Sequence, residues 1–306
     1  MSRQVEYEKI ESNIYFMDSR KSNRFGGSGV YLVIGSGITL IETGTALIGK
    51  DILDLVRQLG FAEKDIRNAI LTHVHLDHAG GTGWLVRNLP HLKVYVHERG
   101  YKHIHDPSAL IESAKILYDS LENIIALHGQ ILPVNKDNLI SVTDTRIDIG
   151  EGVHLETFEA PGHAPHHLCI YEPESGCVFS GESLGHYHPE TKILRPAVAP
   201  PSFDYDASLE TIERIKARKP RTICFSQYGY HRDPEYVIEK SKIQLTDFYG
   251  LIKSMRKQGL NTDEIIKEIE SELNEGENQD GMSSGSMLRS IVMGYGLYFQ
   301  RKEREV

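Results

Sequence analysis

The chain contains no apolar run approaching the roughly 20 residues that a membrane-spanning helix needs, so it carries no signal for a transmembrane helix. Cysteine is scarce. Cys169, Cys177 and Cys224 are odd in number and sit in apolar, strand-like surroundings, which argues against a disulfide framework and for reduced core thiols in a cytoplasmic protein. Positive charge is in deficit, with 34 Lys and Arg against 43 Asp and Glu and a net charge of −9. Binding a nucleic-acid backbone relies on a surplus of Lys and Arg, so no nucleic-acid partner is expected. The polar opening Met1-Ser2-Arg3-Gln4-Val5-Glu6 reads as no signal peptide, and no membrane partner is expected. The 40% of residues that are hydrophobic, over 306 positions, suffice for a substantial core in one large domain or two.

Histidine, in contrast, is concentrated. The run Thr72-His73-Val74-His75-Leu76-Asp77-His78-Ala79-Gly80-Gly81 crowds three imidazoles and a carboxylate into six positions, enough ligands for one metal ion or two. The preceding Asn68-Ala69-Ile70-Leu71-Thr72 reads as a short apolar strand, which puts the ligands where a buried strand gives way to a loop. In extended chain, residues two apart point the same way, so His73, His75 and Asp77 are expected to converge while His78 needs a turn. Ala79, Gly80 and Gly81 lack bulk and allow a tight turn into a helix starting near Thr82. A catalytic zinc site needs about three protein ligands and an open position, so two ions would need more donors than this run holds. Three later segments qualify by residue type, each at a turn after a strand-like run: Ala160-Pro161-Gly162-His163-Ala164-Pro165-His166-His167, Phe179-Ser180-Gly181-Glu182-Ser183-Leu184, and Phe225-Ser226-Gln227-Tyr228-Gly229-Tyr230-His231.

In the order and spacing of these motifs, roughly the first 232 residues resemble the metallo-β-lactamase superfamily and, within it, the glyoxalase II-like hydrolases. The resemblance implies an α+β fold, a four-layer αβ/βα sandwich. It implies His73, His75 and His163 around one metal ion, Asp77, His78 and His231 around a second, and Glu182 bridging both. The cofactors implied are two divalent ions, zinc first, with iron or manganese as alternatives. The family usually has Asp at the bridge; Glu182 is longer by one methylene, about 1.5 Å of reach. Glu42, in Thr39-Leu40-Ile41-Glu42-Thr43-Gly44, stands where the family commonly has Asp and reads as a support for the ligands rather than a ligand. Gly181-Glu182-Ser183-Leu184-Gly185 followed by Leu194-Arg195-Pro196, and Gly285-Ser286-Met287-Leu288-Arg289 before a terminal helix, are similar to the quinolone-signal response thioesterase of the same superfamily.

Strand and helix patterns alternate along both halves of the first 232 residues, which suggests two sheets packed face to face with helices outside and the ligand turns at one edge. A helical insertion is expected around 103–130, where the apolar stripe over 108–128 reads as one long helix. It is either a wall over the metal pocket, with Tyr118 and His128 as candidate wall residues, or simple core packing. Residues 233–306 form a C-terminal helical extension, with helices near 234–258, 262–275 and 286–302 and a polar loop at 274–285. Packed appendage, substrate wall and homodimer surface all suit that extension.

The reaction expected of such a chain is hydrolysis of an ester, thioester, lactone or related acyl bond of a small substrate by a bridging hydroxide, with Asp77 also orienting that nucleophile. Arg195, Tyr228 and His186 lie close in sequence to ligand turns and are the candidate substrate contacts. The alternatives are an iron-dependent sulfur dioxygenase-type oxidoreductase and a regulatory binding protein with a vestigial site.

Overall fold

The computed structural model describes residues 4–19, 27–272 and 285–305; the opening Met1-Ser2-Arg3 and nearly all of the expected polar loop at 274–285 lie outside them. The first sheet runs in sequence order through β1 (Glu8–Glu11), β2 (Ile14–Asp18), β3 (Gly29–Ile34), β4 (Ile38–Ile41), β5 (Ile66–Ile70), β6 (Lys93–His97) and β7 (Leu139–Val142). It is antiparallel as far as β4 and parallel from β4 to β7. The second sheet contains β8 (Thr145–Gly150), β9 (Val153–Glu159), β10 (Leu168–Glu172), β11 (Cys177–Gly181), β14 (Thr222–Phe225) and β15 (Tyr230–His231), in the order β15-β14-β11-β10-β9-β8. A separate two-stranded hairpin joins β12 (His186–Tyr187) to β13 (Leu194–Arg195).

The helices are α1 (Gly49–Gln58), α2 (Leu76–Ala79), α3 (Thr82–Asn88), α4 (Glu98–His105), α5 (Ser108–Tyr118), α6 (Leu121–His128), α7 (Tyr205–Ala217), α8 (Pro234–Lys257), α9 (Thr262–Glu272) and α10 (Gly285–Arg304). Three apolar clusters stack them into layers. Strand residues alternate faces, so Tyr31 and Val33 of β3 meet Ile147, Ile170 and Phe179 of the other sheet, while Val30 and Leu32 pack outward with Ile52, Leu55 and Val56 of α1. On the far side Phe158, Val178 and Ile223 pack against Ile212 and Ile215 of α7. The result is the expected four-layer sandwich of helices, two facing sheets, and helices again.

The expected single helix over 108–128 is two. Asp119 takes φ +64, a left-handed conformation that Asp tolerates better than most residues. Ser120 then starts α6 by accepting a hydrogen bond from the Asn123 N–H, the usual role of serine at a helix N-terminus. The β12–β13 hairpin and the separate helix α4 did not stand out in the sequence.

The C-terminal helices share the core of the second sheet. Leu288, Ile291, Val292, Tyr295, Tyr298 and Phe299 of α10 belong to the same apolar cluster as Phe158 and Ile223, and the Tyr295 hydroxyl donates to the Leu245 carbonyl of α8 at 2.7 Å. Among the described residues no helix is long and apolar enough to cross a membrane. Close approach of α10 depends on Gly294, where an added Cβ would fall 2.1 Å from Val198 Cγ1. Overpacking of this kind costs about 1–3 kcal/mol. Gly294→Val is therefore expected to lower the urea midpoint; an unchanged midpoint would show that α10 is not held there.

Candidate metal centre

Every loop that contributes to the site leaves the C-terminal end of a strand. Glu42 follows β4, the histidine run follows β5, His163 follows β9, Glu182 follows β11, and Gln227 follows β14. Backbone hydrogen bonds tie these loops together: Leu168 N–H to the Thr72 carbonyl at 2.7 Å, Glu42 N–H to Ile70 at 2.9 Å, and Ser226 N–H to Gly181 at 3.2 Å. Gly181 takes φ +57, and a Cβ there would lie 2.3 Å from His167 Nε2. That nitrogen instead accepts the Glu182 N–H at 3.1 Å, which fixes the direction in which the Glu182 side chain leaves the strand.

The histidine run differs locally from the extended reading. The chain stays extended only as far as His75, whose ψ is 151°, and α2 then begins at Leu76. Asp77 and His78 are therefore presented by a helical turn. The six residues His73, His75, Asp77, His78, His163 and Glu182 nevertheless come together in two overlapping groups. In one, a ligand atom from each of His73, His75, His163 and Glu182 lies within 4.8 Å of the others; in the second, the same holds for Asp77, His78 and Glu182. Glu182 belongs to both because its two oxygens face different ways. Oε2 lies 2.7 Å from His163 Nε2 and 3.6 Å from His73 Nε2. Oε1 lies 3.5 Å from His78 Nε2 and 2.6 Å from His186 Nε2.

Hydrogen bonds fix which imidazole nitrogen is available. The Thr72 hydroxyl donates to Glu42 Oε1, so its oxygen accepts from His73 Nδ1 at 2.9 Å. His78 Nδ1 donates to Glu42 Oε2 at 2.6 Å, and His163 Nδ1 donates to the Ala197 carbonyl at 2.9 Å. In each ring Nδ1 is committed to its acceptor, which turns Nε2 into the cluster. Glu42 thus orients these groups and also accepts from Ser226 Oγ at 2.7 Å, while one of its oxygens lies within 4.8 Å of ligand atoms of His73 and His78. Its own backbone is held at φ +66, a conformation uncommon for a non-glycine residue and found where surrounding contacts over-determine it.

The electrostatics suit a cation. Burial, helped by His163, depresses His75 to about 4, and burial together with His78 pushes His73 well below the usual histidine range; both rings are neutral near pH 7. Burial also opposes charge on His78, but Asp77 and Glu42 outweigh it and raise this ring. Burial opposes charge on Glu182 too, and His163 and His186 outweigh it, which holds the carboxyl well below the usual range. Buried polar atoms ordinarily find partners, yet His73 Nε2 and His78 Nε2 have no hydrogen bond within the cluster. Converging Nε2 atoms, two of them orphaned, with His73 and His75 neutral near pH 7 and the Glu182 carboxyl ionised, suit divalent ions.

His231 does not join the cluster. It lies on β15, paired with Ile223, its ring against Tyr187 at 4.9 Å and Tyr236 at 5.6 Å and its Nδ1 accepting the Asp233 N–H at 3.0 Å. The turn before β15 instead delivers Gln227, which sequence reasoning passed over. Gln227 Nε2 donates to Asp77 Oδ2 and to Glu182 Oε1, both at 3.3 Å.

Of the candidate substrate contacts, His186 stands against Glu182. Tyr228 packs on His188 at 5.1 Å, and buried Arg195 donates to Gln244 of α8 at 3.4 Å. Tyr118, at the end of α5, lies edge-on to buried His128 at 4.9 Å. Burial, with Asp77 and then Glu182 adding, pushes its phenol up.

Supporting residues around metal ligands typically change affinity by about 10–100-fold when replaced. Glu42→Gln, which weakens the acceptor for both His78 and Thr72, is expected to lower divalent-metal affinity by that factor in a competitive chelator titration. Wild-type affinity in this variant would contradict the supporting role of Glu42.

Comparison with known proteins places the fold among others of its kind. An archaeal metallo-beta-lactamase superfamily protein from Sulfolobus tokodaii superimposes with a TM-score of 0.62 at 22% identity, covering 90% of this chain and 96% of that one, which speaks to the fold. The atrochrysone carboxyl ACP thioesterase of Aspergillus chevalieri is 30% identical over 169 residues, 52% of this chain and 41% of that protein. The thioesterase pkgB of Emericella nidulans is 28% identical over 215 residues, 69% of this chain and 48% of that protein. The chain spans about half the length of the curated relatives it matches. The profile of the metallo-beta-lactamase superfamily matches residues 23–227, two thirds of the sequence and every loop that builds the cluster, and the chain belongs to that superfamily.

Proposed function

We propose that this protein hydrolyses thioesters of small acyl substrates at a centre that takes two divalent ions, zinc first. The observation that carries the reading is the placement of the two Glu182 oxygens against two separate sets of imidazoles. Choice of a thioester over other acyl bonds rests on the thioesterases among the relatives. The three cysteines, all buried free thiols, favour a reducing compartment and the cytoplasm.

Ions held by His73, His75 and His163 on one side and by Asp77 and His78 on the other, with Glu182 shared, would supply an activated water and polarise the substrate carbonyl. The chain's own groups divide the remaining work. Asp77 is the least buried of the cluster's acids, its side chain 21% exposed against 6% for Glu182, and is the carboxylate that would accept a proton from the attacking water. Tyr118 stays protonated because burial and the nearby carboxylates oppose its ionisation. It is therefore a neutral donor, suited to hold the carbonyl oxygen without competing for the ions. In this reading the α5–α6 hairpin that carries Tyr118 is the wall, and the exposed Leu121 and Ile125 of α6 are apolar surface available to an acyl group.

A panel of thioesters, lactones and phosphodiesters tests this reading. Thioester turnover should exceed the others, vanish with a chelator and return with zinc. Asp77→Ala should lower kcat by about 10²–10⁴-fold, the range for loss of a general base. A zinc-loaded protein that leaves every thioester intact would overturn the proposal.

A further inference from the structure

A cavity lies beside the metal centre. β6 runs parallel to β5 and pairs with it, Ile70 against Tyr95, so the C-terminal end of β6 reaches the same sheet edge as the histidine run. There the chain turns into α4, and Gly100 lets this helix settle directly on the run. An added Cβ at Gly100 would fall 2.8 Å from Cγ1 of Val74, the residue between His73 and His75, and 3.6 Å from His166 Cβ. The cavity, of about 700 Å³, is lined by α4 on one side and by Pro165 and His166 of the loop after β9 on the other. His166 belongs to both surroundings, its ring 5.7 Å from that of His75 and 6.5 Å from that of His103.

The lining carries positive charge in excess. Arg99, Lys102 and His103 all line the cavity, at the three- and four-residue spacing that sets side chains on one face of a helix. Arg99 and Lys102 have no ion pair or side-chain hydrogen bond among the described residues, and Glu98 is the one carboxylate of the lining. The chain as a whole has a net charge of −9, so this local surplus runs against the general balance. Burial, helped by Lys102, lowers His103, and burial with His75 depresses His166 to about 3. Near pH 7 both rings are neutral, and the cavity's cationic charge is that of Arg99 and Lys102. Tyr101 adds an aromatic wall.

We propose that this cavity holds an anionic group, phosphate or carboxylate, carried by the same substrate whose acyl bond reaches the metal centre. The guanidinium of Arg99 presents paired N–H donors that match two oxygens of either anion, and Lys102 adds a point charge beside it. His166 stands between this group and His75, so the anion anchors the substrate without taking a position on an ion. An anchor remote from the reacting carbonyl is felt equally in the ground state and the transition state, so it acts on KM rather than on kcat. The proposal rests on the acyl-hydrolase reading for the thioester that carries the anion; the anion site itself is tested separately.

Three thioesters of one acyl group supply the test on zinc-loaded protein: that of coenzyme A, whose arm carries phosphate, that of glutathione, whose arm carries carboxylates, and that of uncharged N-acetylcysteamine. At least one charged thioester should show a KM about tenfold or more below the uncharged one, the gain of a charge-assisted contact, and which of them shows it tells phosphate from carboxylate. Arg99→Glu combined with Lys102→Glu should erase that gap. Lys64→Glu, an exposed lysine just before the other end of β5, should keep it. Equal KM for charged and uncharged thioesters in the wild type, a gap that survives R99E/K102E, or a gap that K64E erases as well overturns the proposal. Calorimetry with the non-hydrolysable thioethers S-propyl-coenzyme A and S-propylglutathione needs no turnover. Binding that R99E/K102E abolishes, with no thioester hydrolysed, would keep the anion site and sink the thioesterase reading; turnover without charge preference would do the reverse.

Discussion

The site depends on one carboxylate placed between two sets of imidazoles. Glu182 is buried, and a buried carboxylate is costly unless its charge is matched by partners. Here the matching is two-sided, His73 and His163 at one oxygen, His78 and His186 at the other. These rings come from three turns, His73 and His78 sharing one, so the position of Glu182 ties together the loops after β5, β9 and β11. The extra methylene that distinguishes Glu from Asp gives this side chain the reach to do so, and it also carries Oε1 as far as His186.

Around that carboxylate the protein spends much of its buried polarity on orientation. Glu42 receives hydrogen bonds from Thr72, His78 and Ser226, and the Ala197 carbonyl receives that of His163. These contacts do not touch a substrate; they decide which nitrogen of each ring faces the cluster. Two sheets facing across a common core hold the loops rigidly enough for the arrangement to persist. Tyr31 shows the coupling, its hydroxyl lying 2.6 Å from the Phe225 carbonyl and 2.7 Å from that of Gly229, so β3 of the first sheet braces the turn that presents Gln227 in the second.

How much of this could be read from the sequence depended on whether residue type or backbone path carried the information. The run from His73 to His78 was legible because its ligand density is hard to reach otherwise, and Glu182 because it follows an apolar strand at a glycine turn. The sandwich was legible from alternating strand patterns. His231 was misplaced because spacing along the chain does not reveal a tight hairpin: Tyr228 at φ +65 and Gly229 at φ +96 turn the chain back immediately after β14, so that His231 pairs with Ile223 and Gln227 is left at the site. The Tyr228-Gly229 pair was the available signal for that turn. His186 was noticed for its nearness to a ligand turn, but its contact with Glu182 follows from the sharp return at Gly185, which residue types alone do not convey. The break between α5 and α6 had its signal in Asp119-Ser120, outweighed by a continuous apolar stripe.

The central claim is that Glu182 is shared by two metal ions held in distinct surroundings. Anomalous diffraction at the zinc edge, on crystals of the zinc-loaded protein, tests it most directly. The account predicts two peaks about 3.5–4 Å apart on opposite sides of the Glu182 carboxylate, one among His73, His75 and His163 and the other beside Asp77 and His78. A single peak, or a second peak with no contact to Glu182, would contradict it.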